Sequence, residues 1–271
     1  MNSDKMPFID SHCHLHDSRI LSDIPGIVAR AEQAGVKAMV TCATMEENFE
    51  QTARLSLTHP SIVPCFGIHP WFLDTLSGQW KENLEHYLIS YPSGIGETGI
   101  DFMDKALDRD RQVKVFEYHL VLARELNRPI NIHIRKAWDP VIRILKKIGK
   151  LKVPGLIHSY SGSADLIPMF EAYNLYISFS GSVTLPGAKK VVNALKKVSK
   201  EKYVLETDTP DIYPFLTEPE ATRLNEPKNL PAIARIASER TGIGFEVFYE
   251  QAYQNSLILF APLLEEKKDR Q

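Results

Sequence analysis

Cysteine is scarce and unpaired in number: three residues in 271, at Cys13, Cys42 and Cys65. An odd count, with each cysteine inside an apolar stretch, excludes a disulfide framework and reads as buried thiols in a reducing compartment. Long apolar runs are missing. None approaches the roughly 18 residues that a membrane span needs, and the opening MNSDKMP has no apolar core of a secretory signal. These absences point to a soluble, cytoplasmic protein. Excess positive charge is missing too. With 32 Lys and Arg against 34 Asp and Glu, the formal net charge is −2. That excludes a protein that coats nucleic acid electrostatically, but not an enzyme that grips a few phosphates in a cleft. No Pro- or Gly-rich linker and no internal repeat divides the chain. The expectation is one domain over 1–271, monomeric, with no membrane contact and no obligate protein partner.

What is present is alternation. Short apolar or β-branched runs fall at 8–15, 36–43, 62–69, 93–101, 128–134, 153–160, 175–181 and 202–208. Between them lie amphipathic segments. In 138–150, Val141, Ile142, Leu145 and Ile148 recur at helical spacing, and 106–127 carries Val113, Phe116, Leu120, Ala123 and Leu126 near one face. Helices also fit 23–35, 45–59, 80–91, 164–174, 188–198, 230–241 and 245–260. Asp23 ahead of Pro25 marks a start and Gly35 a stop. Eight strands that each lead into a helix predict a parallel α/β fold, the (β/α)8 TIM barrel, with a doubly wound open sheet as the alternative. The segment 209–229, with four prolines, is the longest non-helical stretch and is expected to be functional. The charged tail 265–271 reads as a solvated end.

In a parallel barrel, chemistry sits at the C-terminal ends of the strands. His12 and His14, two apart, share a side at the end of strand 1. Glu97 falls near the end of strand 4, His133 near that of strand 5, His158 near that of strand 6, and Asp208 ends strand 8. Buried imidazoles and carboxylates need partners, and a divalent cation suits both. His69, in GIHP, stands on the same rim as a substrate contact or a turn residue held before Pro70. His59, His86 and His119 fall in helical segments and read as surface or capping residues, and His16 has no assigned role. Asp10 and Asp101 share parity with the ligands and are expected to orient imidazoles. Glu206 lies deeper and reads as structural. Trp71, Phe102, Tyr160 and Tyr213 lie near rim motifs, where each stacks on a base or packs.

The ordered set DSHCHL, GIHP, GETGID, PINIHIRKA, HSYSGS, ETDTP, NEP and NSLILF resembles the TatD-type metal-dependent deoxyribonucleases of the amidohydrolase-like superfamily, over Ile9 to Phe260. The resemblance implies metal binding by His12, His14, Glu97, His133, His158 and Asp208, and 3′-to-5′ exonuclease action on single-stranded DNA ends. The expected cofactor is a pair of divalent ions (Zn, Mn, Mg or Ni), which activate a water. His12, His14, Glu97 and Asp208 would hold one, and Glu97, His133 and His158 the other. Asp208 and Glu97 are the catalytic candidates, Asp208 as proton acceptor. Arg135, two residues after His133, would pair with a phosphate. Strand 4 has no lysine that could be carbamylated to bridge two metals; Glu97 stands there instead. The expected substrates are nucleic-acid ends or a small phosphoester. Two rivals share the residues: a hydrolase of a small amide, lactone or phosphoester, and a metal-bearing scaffold without turnover.

Overall fold

A computed structural model of the chain describes residues 6–216 and 224–269. Eight strands form one sheet in chain order, every neighbouring pair parallel: β1 (Phe8–Cys13), β2 (Val36–Cys42), β3 (Ile62–Phe66), β4 (Gly94–Asp101), β5 (Ile130–Arg135), β6 (Gly155–Ile157), β7 (Leu175–Phe179) and β8 (Tyr203–Leu205). The strands are buried almost throughout. Covered on both faces, they read as continuous apolar runs instead of alternating ones. Helices follow them: α1 (Ile24–Gln33), α2 (Phe49–Thr58), α3 (Trp80–Ser90), α4 (Arg109–Glu125), α5 (Trp138–Ile148), α6 (Ile167–Ala172), α7 (Lys189–Lys197), α8 (Leu230–Thr241) and α9 (Phe245–Asp269). This is the expected (β/α)8 barrel. No helix among the described residues is long and apolar enough to cross a membrane.

The seam between β8 and β1 is closed just past the strand ends. Asp208 N donates to His12 O at 3.0 Å and His14 N to Thr209 O at 2.7 Å. Below them Asp10 takes Thr207 N at 2.9 Å and Thr207 Oγ1 at 2.5 Å. Asp10 therefore faces no imidazole, contrary to the parity expectation. It is a clamp that holds the two ends of the barrel together, and burial pushes its carboxyl up to about 8 against the hydrogen bonds from Thr207.

Two other expectations are corrected. Strands 3, 6 and 8 are shorter than the sequence suggests, so His69, His158 and Asp208 stand on the loops just beyond them. Asp23 marks the start of α1 as expected, with its carboxylate accepting from Arg30 at 2.8 Å instead of from the helix N–H groups. The tail does not fray at 265: α9 continues to Asp269. Its Leu259, Phe260 and Leu263 are buried with Ile9, Val40, Val63, Cys65 and Val204, which stabilises the fold by about 2 kcal/mol per side chain. Glu266 pairs with Arg128, and Lys267 Nζ donates to the carbonyl of Ile62, the first residue of β3. Helix α9 thus closes the N-terminal end of the barrel and leaves the other end for chemistry. The 209–229 loop is tied back to the barrel at Asn225, whose side-chain amide donates to Thr207 O at 2.7 Å; its positions 217–223 lie outside the described residues.

Candidate metal centre

The six strand-end residues singled out above converge on one spot at the C-terminal end of the barrel. Strand β4 makes this possible. Gly99 has φ +157°, and a Cβ there would fall 1.9 Å from the carbonyl oxygen of His133. Only glycine lets β4 approach β5 so closely, and that approach sets Glu97 beside His133.

Glu97 is 3% exposed and sits between two pairs of imidazoles. Its Oε2 lies 3.6 Å from His12 Nε2 and 3.3 Å from His14 Nε2. Its Oε1 lies 2.9 Å from His133 Nδ1 and 3.0 Å from His158 Nε2. Asp208 Oδ1 faces the first pair, 3.7 Å from His12 and 3.5 Å from His14. Within each pair the facing nitrogens are close, 3.2 Å for His12 and His14 and 3.3 Å for His133 and His158.

The far nitrogens explain what those close contacts need. His12 Nδ1 faces Asn131 Oδ1 at 3.1 Å, and His14 Nδ1 faces the carbonyl of Cys42 at 2.8 Å. His133 Nε2 faces Asp101 Oδ2 at 3.2 Å, and His158 Nδ1 faces Glu206 Oε1 at 3.3 Å. The far nitrogens of His12, His14 and His133 bond an acceptor and so carry the ring proton, and that of His158 lies against the Glu206 carboxylate without a hydrogen bond, which favours the same tautomer. The near nitrogens are then lone pairs pointing at one another, and a cation between them satisfies both. The carboxylates already draw positive charge inward. Burial pushes His14 down, but Asp208 and Glu97 override it and raise it to about 10. His158 is raised well above the usual histidine range against the same burial, by Glu97 first. Glu97 and Asp208 are held below the carboxylate range, against burial, with His158 the largest opposing influence on each. Imidazole and carboxylate donors in this arrangement fit a divalent cation.

His69 lies against the same carboxylate, Nε2 3.5 Å from Glu97 Oε1, but its tautomer is reversed. Its Nδ1 accepts the backbone N–H of Trp71 at 3.2 Å, so Nε2 carries the proton. Burial pushes its pKa down to about 3, which keeps the ring neutral. His69 therefore offers an N–H, not a lone pair. The cavity above these groups holds about 400 Å³ and is lined by His14, His69, Trp71, Arg135, Ser161 and Asp211 among others. Arg135 is exposed on its rim and pairs with no carboxylate among the described residues.

One supporting residue escaped the sequence reading. Asn131 holds the His12 imidazole and stands two positions before His133 on β5, so parity alone would have found it. Glu206 is more than the structural residue expected: its Oε1 lies 3.3 Å from His158 Nδ1, while the carboxylate accepts from Ser159 N at 2.6 Å and Ser178 Oγ at 2.5 Å. Asp101 does orient His133, as expected. His119 is not on the surface. It is fully buried, and its Nε2 accepts from Ile68 N at 3.1 Å, bracing the GIHP turn. Tyr160 is buried with its hydroxyl on Ser163 O, and Phe102 packs under Arg109.

A barrel with imidazoles and carboxylates gathered at the C-terminal strand ends defines a metal-dependent hydrolase. Residues 9–261 match the family described as TatD related DNase, and the chain belongs to that family. It is 29% identical over 269 residues to deoxyribonuclease TATDN3 of Homo sapiens, covering 94% of this chain and 95% of that protein. It is 29% identical over 255 residues to the uncharacterized metal-dependent hydrolase YabD of Bacillus subtilis, covering 93% of this chain and 98% of that one. The crystal structure of YjjV, a TatD homolog from Escherichia coli K12, superposes with a TM-score of 0.87 at 27% identity, over 94% of this chain and 98% of that one.

Proposed function

We propose that this hydrolase is a deoxyribonuclease that removes nucleotides from the 3′ end of single-stranded DNA, at a centre for two divalent ions. The observation that carries the reading is Glu97 lying between two pairs of facing imidazole nitrogens, with the exposed Arg135 on the rim of the same cavity. His12, His14 and Asp208 would hold one ion, His133 and His158 the other, and Glu97 both. The imidazole-rich set favours Zn, Mn or Ni over Mg. Such ions, when bound, lower the pKa of a water and offset charge on phosphate oxygens.

The chain's own groups supply the rest. Asp208, ionised at neutral pH, takes the proton of the attacking water. His69 and Arg135 line the cavity, where the His69 Nε2–H and the guanidinium would donate to a phosphate. The near-zero net charge suits an end, which needs few phosphate contacts, better than a long duplex. The family description and the name of the human relative favour DNA.

The test is cleavage of single-stranded DNA labelled at the 5′ end in one sample and the 3′ end in another. The protein is stripped of metal and resupplied with Mn or Mg, with Asp208→Asn alongside. Stepwise shortening from the 3′ end is expected. It should vanish without metal and fall about 10²- to 10⁴-fold in the variant, the range for losing a general base. No cleavage of DNA or RNA, with fold and metal content intact, would overturn the nuclease reading and leave small phosphoesters, amides and lactones.

A further inference from the structure

We propose that the indole of Trp71 is the platform on which the base of the terminal, unpaired nucleotide stacks, so that the enzyme measures the presence of a base without reading its identity. The inference rests on the nuclease reading above. Tryptophan is usually well buried, yet Trp71 is 50% exposed at the mouth of the catalytic cavity. It is also fixed in place. Its Nε1–H donates to Asp101 Oδ2 at 2.8 Å, the oxygen that faces His133 Nε2. Its ring meets the His69 ring edge-on, centroids 4.9 Å apart at 82°, and its backbone N–H holds His69 Nδ1. The polar edge and the backbone are thus spoken for, and what remains is a rigid apolar face beside the centre. Of the other aromatic candidates, Tyr160 is buried, Phe102 carries Arg109 over its ring, 4.5 Å from the centroid, and Tyr213 is half-buried and is not among the residues that line the cavity.

The surroundings say what that face takes. Arg135 lines the same cavity and is suited to a phosphate, so a ligand that satisfies both is flat and apolar at one end and anionic at the other. A nucleotide is such a ligand. A cavity of about 400 Å³ falls in the range that takes one small ligand, and a base can turn its face to the indole only when it is unpaired. Every base has such a face, so stacking tolerates sequence. The substrate class is therefore an unpaired end of any sequence, and an end whose last nucleotide lacks its base is a poor substrate.

A two-by-two cycle tests this. kcat/KM is measured for the native enzyme and Trp71→Ala, on a single strand whose terminal nucleotide is intact or abasic. Each single change is expected to lower kcat/KM about ten- to a hundredfold, the range for losing one stacked base. The double change should cost no more than either alone. Trp71→Phe, which keeps a ring but loses the bond to Asp101, should retain most of the activity lost in Trp71→Ala. Losses that multiply, or an unaffected Trp71→Ala, would overturn the inference. If the native enzyme cleaves no nucleic acid, the nuclease reading fails on its own. Stacking is then read from quenching of tryptophan fluorescence by deoxyadenosine monophosphate. Quenching in the native protein but not in Trp71→Phe sustains the platform, and equal quenching in both overturns it.

Discussion

Every imidazole of the centre works from both ends. One nitrogen faces Glu97, and the other faces an amide, a carbonyl or a carboxylate, which favours the tautomer that leaves the inner nitrogen's lone pair free. Asp101 shows the division of labour most plainly, because it touches His133 and Trp71 but is not among the six candidate ligands. Asp101→Ala should weaken metal binding about 10- to 100-fold, the usual loss when such a support is removed, as measured by competition against a chromogenic chelator. Unchanged affinity would show that His133 needs no orientation. At this scale the sequence was legible where a residue type is costly to bury without a purpose. Four histidines and two acids at strand ends stood out for that reason. Asn131 did not, since an amide inside a strand has many ordinary uses. Asp10 misled: its parity is right for an imidazole, but the neighbour at that height is the closing strand, and Thr207 takes the carboxylate.

Helices and turns hold these residues in position, and the link between α4 and the turn after β3 is a sharp case. His119 donates from Nδ1 to Val115 O at 2.7 Å and accepts from Ile68 N at 3.1 Å, so only the neutral ring fits. Burial pushes its pKa down to about 4. The unfolded chain, titrating near 6.5, then binds a proton that the folded chain refuses. Stability is full above pH 6.5 and falls as pH drops toward 4, by about 3 kcal/mol in all. In urea melts at pH 7.5 and pH 5, His119→Gln should show a smaller loss on acidification than the native protein; an equal loss would remove His119 from the account. The helix itself was legible from Phe116, Leu120 and Ala123. Its histidine was misjudged because a polar residue on the edge of an apolar stripe reads as facing water.

As a whole the molecule is a barrel with a sealed end and a working end. The eight strands were legible because parallel strands buried on both faces stand out against amphipathic helices. The last turns of α9 were not, since their charged residues resemble a tail until Glu266 and Lys267 meet Arg128 and the Ile62 carbonyl beneath the barrel. With that end shut, the seam, the glycine approach of β4 and the rim loops all serve one geometry, Glu97 shared between two imidazole pairs. The most direct test counts metal. After saturation with Mn or Zn and removal of excess, elemental analysis should find two ions per native chain and at most one in Glu97→Gln. A native chain that saturates at one ion, or a Glu97→Gln chain that still holds two as tightly, would contradict the shared carboxylate on which the proposed chemistry stands.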